Sequence, residues 1–403
     1  MRIKYHTDAE HDEYASLIAR IDRWWTAFSE KKDDIVSSFK ASSNSDWLPK
    51  WMELYLSAVS PYLMWEFGPG ISGSAHRLVI TSENQMHLRP LVELLLHRQP
   101  QLSDWEFYPY RPPETLKHAL AAVKGRAPAD LTGTLCQLNV GKFNRTNLTF
   151  LSPNCTEPND KKIRHAAFVL SESLLGEEIL EKWIGSFDAA PLIPSTTLRA
   201  VPLDRLKPTV DALIAAIREQ LPHQPYWQEL PNAPGKEKPD YSMLKLTPKP
   251  QPEYLSQHDL YVAITPVLSL WRATHSNISF QSCRFSAHDE IFCYLKIDGS
   301  QRRKGLEAKD RIAIEDALDA ALIPAQVGRC LGGGTGLAYS YIELALTDIP
   351  AAEPLIKNVL KQHNAPLRTW LLFHDAYLAA EWINIYPETP PPPLPKFPDD
   401  PTL

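Results

Sequence analysis

No CxxC pair, no HExxH or comparable histidine spacing, and no run of the roughly 20 apolar residues that span a bilayer occurs in the sequence. The five cysteines, Cys136, Cys155, Cys283, Cys293 and Cys330, form an odd and widely spaced set. That pattern suits reduced thiols better than a disulfide framework or a zinc site, so a reducing cytoplasm is the expected compartment. The opening MRIKYHTDAEHDEY carries no apolar h-region, and neither export by such a leader nor a membrane partner is expected. Basic residues are scattered, 42 Lys and Arg against 48 Asp and Glu for a formal net charge of −6. Without a basic stripe there is no footprint for a phosphate backbone, which disfavours nucleic acid as a partner. With no ligand spacing for a metal and no cofactor motif, no cofactor is expected.

What is present is enough apolar sequence for two cores, since 403 residues exceed one ordinary domain. Residues 1–60 read as a helical preamble of two amphipathic helices. In the first, Leu17, Ile18, Ile21, Trp24, Trp25 and Phe28 recur at three- and four-residue spacing. Residues 61–221 alternate strand and helix as a first α+β domain, with Ser82 and Gln85 placed for a capping box ahead of a helix over 85–97. Eight prolines between Pro222 and Pro252 make 222–257 the expected connection. Residues 258–386 form a second domain, whose last six elements run βαββαβ, the order of a ferredoxin-like antiparallel sheet with both helices on one face. The tail 387–403 is dominated by proline and reads as polyproline II or unstructured.

Several motifs come close to chemistry and fail on context. Gly328, Cys330 and Gly332 match a nucleophile elbow, but an elbow needs a strand-to-helix turn and here strand leads to strand. Cys330 therefore reads as core. The GGGTG run from Gly332 to Gly336 has no following helix to complete an anion cradle, and a bulge or wide hairpin accounts for it. GISGS, from Gly70 to Ser74, reads as a turn. Glu177, Glu178 and Glu181 could pair as acid and base, but a charged helix face explains them more simply.

Two groupings are left as candidate sites. If Ile291, Cys293, Leu295 and Ile297 point inward, Phe292, Tyr294 and Lys296 point out, as do Tyr339, Tyr341 and Glu343. With Trp370 alongside, Phe292, Tyr294, Tyr339 and Tyr341 would make an aromatic sheet face fit for a protein partner or for stacked RNA bases. Bare aromatic faces of that size are rare, so the alternative is that the rest of the chain covers it. The second grouping is Glu66, Glu83, Arg89 and Arg111, near strand ends of the first domain.

The run MWEFGPG…HRLVITSEN…LRPLVELLLHRQPQLSDWEFYPYRPP, continued by LLGEEILEKWIGSFDAAPL, resembles an uncharacterised bacterial domain family. In that family a strand with an acidic Ile-Thr-x-Glu end, a helix and a Trp-Glu-Phe strand recur. The resemblance covers about residues 62–192; it implies a fold and assigns no active site. The second domain is similar to ferredoxin-like regulators of ribonuclease activity in element order and glycine-rich hairpin only. These readings together favour a non-enzymatic, cytoplasmic protein-binding or regulatory protein of the immunity or inhibitor type. The alternatives are a hydrolase or nucleotide-handling enzyme built on the first domain, and single-stranded RNA binding by the second sheet.

Overall fold

A computed structural model describes residues 2–40, 47–127, 129–193, 199–230, 240–299 and 308–397. Helices α1 (His11–Lys40) and α2 (Trp47–Tyr55) precede β1 (Met64–Pro69), β2 (His76–Thr81), α3 (Arg89–His97) and β3 (Trp105–Tyr108). Next come α4 (Leu116–Arg126), β4 (Leu135–Val140), β5 (Thr146–Ser152), α5 (Lys161–Leu175), α6 (Glu177–Trp183) and β6 (Ile184–Pro191). They lead to β7 (Ala200–Pro202), α7 (Leu206–Glu219), α8 (Tyr226–Glu229), β8 (Ser242–Lys245), β9 (Leu260–Thr265) and α9 (Leu268–Thr274). The chain continues through β10 (Ile291–Asp298), α10 (Ala308–Leu322), β11 (Gly328–Gly336), β12 (Tyr339–Leu346), α11 (Ile349–Gln362), β13 (Thr369–Phe373) and β14 (Trp382–Asn384). The protein is thus α+β, and no helix among the described residues is long and apolar enough to cross a membrane.

Contacts divide the chain into two compact units, Met1–Pro109 with Asp240–Pro266 and Ile291–Leu403, and Tyr110–Pro239 with Val267–Glu290. The division is not the linear one expected between 61–221 and 258–386. Two strands from the proline-rich region and just after it, β8 and β9, extend the sheet built by β10 to β14, while Val267–Glu290 belongs to the other unit. Residues 231–239 of the expected connection and 398–403 of the tail lie outside the described residues.

The first unit holds two sheets. In the smaller, β1 pairs antiparallel with β2, and β2 parallel with β3. The apolar stripe of α1 (Leu17, Ile21, Trp24, Trp25, Phe28) packs against Leu78, Ile80 and Trp105 of this sheet. Trp25 donates its indole N–H to the Leu95 carbonyl at 2.8 Å, so its one polar atom is satisfied inside the core. The capping box expected at Ser82 and Gln85 does not form. Glu83 turns the chain at φ +46°, Gln85 donates its backbone N–H to the Ser82 carbonyl, and α3 begins only at Arg89, with Pro90 in its first turn.

The larger sheet runs β14-β13-β10-β12-β11-β9-β8, with every neighbouring pair antiparallel. One face of it, with Cys293, Leu295, Ile297, Ile342, Leu344 and Leu371, packs on Ile314, Leu318 and Leu322 of α10 and on Ala352, Ile356 and Leu360 of α11. In β11 the register shifts between Cys330 and Gly333, a bulge that only glycine permits. Gly332 has φ +93°, and a Cβ there would stand 2.1 Å from the Ile264 carbonyl oxygen.

The second unit is a four-stranded sheet, β6-β5-β4-β7, whose Cys136, Leu148 and Phe150 pack on Ala166, Ala167 and Leu170 of α5 and on Leu206 and Val210 of α7. The apolar spacing of residues 161–183 predicts one helix there, but Gly176 at φ +84° separates α5 from α6. Glu177 then starts α6 in reciprocal contact with Arg111, its N–H donating to the Arg111 carbonyl at 2.9 Å and its carboxylate accepting the Arg111 N–H at 3.0 Å. The segment ISFQSCRF has strand-like composition but is irregular with one 3-10 turn; Phe280 and Phe285 stack at 5.3 Å and are buried there.

Candidate functional site

The alternation of β10 places its side chains as expected: Cys293, Leu295 and Ile297 lie toward the helices, Phe292, Tyr294 and Lys296 on the other face. Tyr341 and Trp370 flank Lys296 on the adjacent strands. That second face, however, is covered. Phe292, Tyr294, Tyr339, Tyr341 and Trp370 are each 4% exposed or less. They are core, which corrects their reading as a binding surface and removes the stacking platform on which RNA binding depended.

The covering layer is supplied by two proline-rich stretches of the same unit. The sheet face offers donors, and irregular backbone offers carbonyl acceptors. Trp370 donates its indole N–H to the Pro390 carbonyl at 2.6 Å and Lys296 its ammonium to the Tyr254 carbonyl, while the Ser256 carbonyl stands 3.3 Å from the Tyr341 hydroxyl oxygen. Residues 387–397 of the tail are therefore docked, Phe397 stacking on His87 at 4.3 Å.

Between face and cover lies a network of ionisable groups. Asp259 accepts the backbone N–H groups of Ala338 at 2.8 Å and Tyr339 at 2.9 Å, and also the Tyr341 hydroxyl. The Tyr339 hydroxyl donates to Glu253 at 2.6 Å; Arg368 reaches the same carboxylate at 2.6 Å and stands 3.4 Å from Asp298. The Lys296 ammonium sits 4.1 Å from the centre of the Tyr339 ring. Burial pushes the Lys296 ammonium down to about 8, against the pull of Asp259 and Glu253 in the other direction. Being fully buried, Lys296 is a structural charge with no route to a substrate.

A consequence can be measured. The unfolded chain binds a proton at Lys296 up to its ordinary value of 10.5, the folded chain only to about 8. Stability associated with this residue should therefore rise as pH climbs from 8 toward 10.5. Lys296→Met should flatten that part of the wild-type stability curve, read by urea melts at stepped pH. An unchanged slope would show that the ammonium reaches water.

Beside this network, His374 and Glu343 pair at 2.7 Å, Glu343 accepts from Gln257 at 2.7 Å, and the His374 ring packs on Tyr294 at 4.8 Å. This pair too is almost withdrawn from solvent.

The first-domain grouping draws its members from both units. Arg111 belongs to the second unit, where its side chain stands 3.8 Å from Glu172. In the first unit Glu66 faces Arg77 at 3.4 Å across β1 and β2. Glu83 and Arg89 meet at Thr81, whose hydroxyl oxygen accepts the Glu83 N–H at 3.0 Å and an Arg89 guanidinium N–H at 3.0 Å. Arg89 is 1% exposed and also donates to the Pro109 carbonyl at 2.9 Å.

The near-miss motifs resolve structurally. Cys330 is buried, and burial together with neighbouring Asp319 and Glu315 pushes its thiol well above the ordinary range, the opposite of an activated nucleophile. The GISGS turn does form an anion cradle, but its occupant is internal. The Glu106 carboxylate accepts the N–H groups of Ile71 at 2.7 Å, Ser72 at 2.9 Å and Ser74 at 2.9 Å, and the Tyr108 hydroxyl at 2.8 Å. These bonds hold Glu106 down at about 2. Its contribution to stability should be complete above 4.5 and be lost as pH falls toward 2. Glu106→Gln should abolish that acid-side slope in thermal melts, and a retained slope would place it on other carboxylates.

Two open features stand out among the described residues. A largely apolar groove of about 770 Å³ in the second unit is lined by Leu116, Leu120, Val123, Leu131, Leu135 and Leu203. No group of three or more His, Cys, Asp or Glu among the described residues could hold a metal ion. The other feature is the end of the seven-stranded sheet at β8. Tyr241 is 51% and Met243 64% exposed, with Leu246 and Tyr261 also exposed beside them. At the opposite end, β14 is closed off by the N-terminal segment, for Arg2 donates to the Trp382 carbonyl at 2.6 Å.

Sequence reasoning missed β8 because four residues between prolines show no usable period; exposed Tyr and Met in a proline-rich stretch were the available signal. Comparison with protein-family models, with curated proteins and with solved structures gives no match to this chain.

Proposed function

We propose that this is a non-enzymatic protein-binding or regulatory protein, of the immunity or inhibitor type, that works in a reducing cytoplasm through the open edge of its larger sheet at β8. The observation that carries the reading is the contrast between the two ends of that sheet: the N-terminal segment reaches β14, while among the described residues no strand lies beyond β8, whose Tyr241 and Met243 are exposed. Such an edge is a template for strand addition by another chain. Its shortness, Lys245 and the flanking Pro239 and Pro248 restrict which strands can add, as expected of a selective edge. The free state of all five cysteines supports the compartment. The order β13-β10-β12-β11, with α10 and α11 packed on one face, supports a ferredoxin-like reading of residues 291–373.

The test is affinity capture with the intact chain and with Met243→Pro, combined with hydrogen exchange of the captured complex. A stoichiometric partner that protects Tyr241–Lys245 and is lost with the proline variant is the expected result. A partner held equally by both chains would move the surface elsewhere. Turnover in a substrate screen, abolished by replacing Glu83 or Arg89, would favour an enzyme.

A further inference from the structure

We infer that the strand added at β8 is β8 of a second copy of this chain, antiparallel, with Met243 on the two-fold axis. This rests on the reading of β8 as the interaction edge and adds the identity and register of the partner. Pairing with β9 sets which backbone groups are available. Ser242 faces Thr265 and Leu244 faces Ala263, and the Leu246 N–H donates to the Tyr261 carbonyl. In an antiparallel ladder hydrogen-bonded and non-hydrogen-bonded pairs alternate, so Ser242, Leu244 and Leu246 bond to β9. Tyr241, Met243 and Lys245 therefore turn their N–H and C=O groups outward, toward the open edge.

Symmetry then selects one register. Facing residues of an antiparallel pair project on the same side of the sheet, so a two-fold axis normal to the sheet must pass through a residue facing its own copy. With Met243 on the axis, Tyr241 faces Lys245 of the second copy in both directions, and every outward N–H and C=O from Tyr241 to Lys245 is paired. With Tyr241 on the axis, Met243 and Lys245 would face positions ahead of the start of β8 at Ser242 and have no strand residue opposite them. With Lys245 on the axis, Tyr241 would face Lys249, between Pro248 and Pro250, where the strand has ended.

The side chains fit the same register. Two exposed Met243 thioethers meet at the centre, flexible enough to pack against each other. Each Lys245 ammonium lies opposite a Tyr241 ring, a cation–π arrangement free of like-charge contact. The result is one continuous sheet across both copies, closing the only open end of the larger sheet among the described residues.

The intact chain should show a reversible monomer–dimer equilibrium by sedimentation velocity over a micromolar concentration series. Met243→Pro deletes an N–H that β9 does not use, so it should keep the fold by circular dichroism while weakening dimerisation by about 30-fold or more. Met243→Lys, which sets two ammonium groups together at an exposed position, should do the same. Facing residues of a hydrogen-bonded pair stand about 5.5 Å apart at Cα, within disulfide range. Met243→Cys should therefore yield a disulfide-linked dimer on mild oxidation, and Ser242→Cys, on the other face, should not. A chain monomeric at every concentration, a dimer indifferent to both Met243 variants, or crosslinking through Ser242→Cys instead would overturn the inference. If the chain is monomeric yet captures another protein through β8, the strand-addition reading stands and only the second copy as partner fails.

Discussion

Asp259→Ala should lower folding stability by about 3–5 kcal/mol, the range for breaking a buried charged cluster at one member. Asp259 is fully buried and holds together groups from different parts of the first unit: the N–H groups of Ala338 and Tyr339, the Tyr341 hydroxyl and, by charge, Lys296. Its removal strands buried donors, each of which costs about 1–3 kcal/mol when left without a partner. Lys296 would meanwhile lose its main attractive neighbour. Asn at the same position keeps one acceptor oxygen but turns an NH2 group toward converging donors, so it should fall between wild type and Ala. Gly336→Ala attacks the same node from outside, because a Cβ there would stand 2.2 Å from an Asp259 oxygen. Urea melts of the three variants test this; a loss below about 1 kcal/mol for Asp259→Ala would mean that water replaces the carboxylate and that the sheet face is wetter than its burial indicates.

Burial of that face also shows where reading the sequence stops. The two-residue period of IFCYLKID correctly separates Cys293, Leu295 and Ile297 from Phe292, Tyr294 and Lys296, since alternation is local. Whether the aromatic side meets water depends on residues distant in sequence and without periodicity. Tyr254, Ser256 and Pro390 reach it from stretches whose prolines forbid regular structure and leave carbonyls free. The same limit applies to the division into units. A proline-rich segment looks like a connection in sequence, yet β8 lies within it and pairs with β9, at the end of a sheet whose other strands come largely after residue 290.

Elsewhere local signals were misleading for identifiable reasons. The apolar period of 161–183 continues through Gly176, but its φ of +84° and the proximity of Pro113, 3.0 Å from a Cβ at that position, break the helix into α5 and α6. Ile278, Phe280 and Phe285 have strand propensity, which packing overrides in an irregular segment. The candidate cluster of Glu66, Glu83, Arg89 and Arg111 rests on positions near strand ends, a signal that says nothing of contact; Glu83 and Arg89 do share a partner, Thr81.

Glu381→Ala should cost about 1–3 kcal/mol by leaving three partly buried backbone donors without their acceptor. It should also release the start of the chain, because the same carboxylate holds Ile3, Lys4 and Tyr5. Glu381 is 2% exposed, and its carboxylate accepts the N–H groups of Ile3 at 2.7 Å, Lys4 at 3.1 Å and Tyr5 at 3.2 Å. Arg2 continues the clasp, its guanidinium 3.5 Å from the Trp382 ring centre and paired with Glu10. Tyr5 stacks on Phe373 at 5.1 Å. In Glu381→Ala the amides of Ile3, Lys4 and Tyr5 should lose protection in hydrogen exchange well before those of β10 and β12, because one clasp is opened and the central sheet is intact. Glu381→Gln, which keeps a carbonyl oxygen, should retain part of the protection. The two variants also separate burial from hydrogen bonding. Burial raises the Glu381 carboxyl above its ordinary 4.5, opposed by the three N–H groups and Arg2. A folded state that holds this proton more tightly than the unfolded chain loses stability as pH rises from 4.5 through the raised value. The stability of wild type relative to Glu381→Gln should therefore decline over that interval. If it grows instead, the N–H cradle outweighs burial, and the clasp is held mainly by charge.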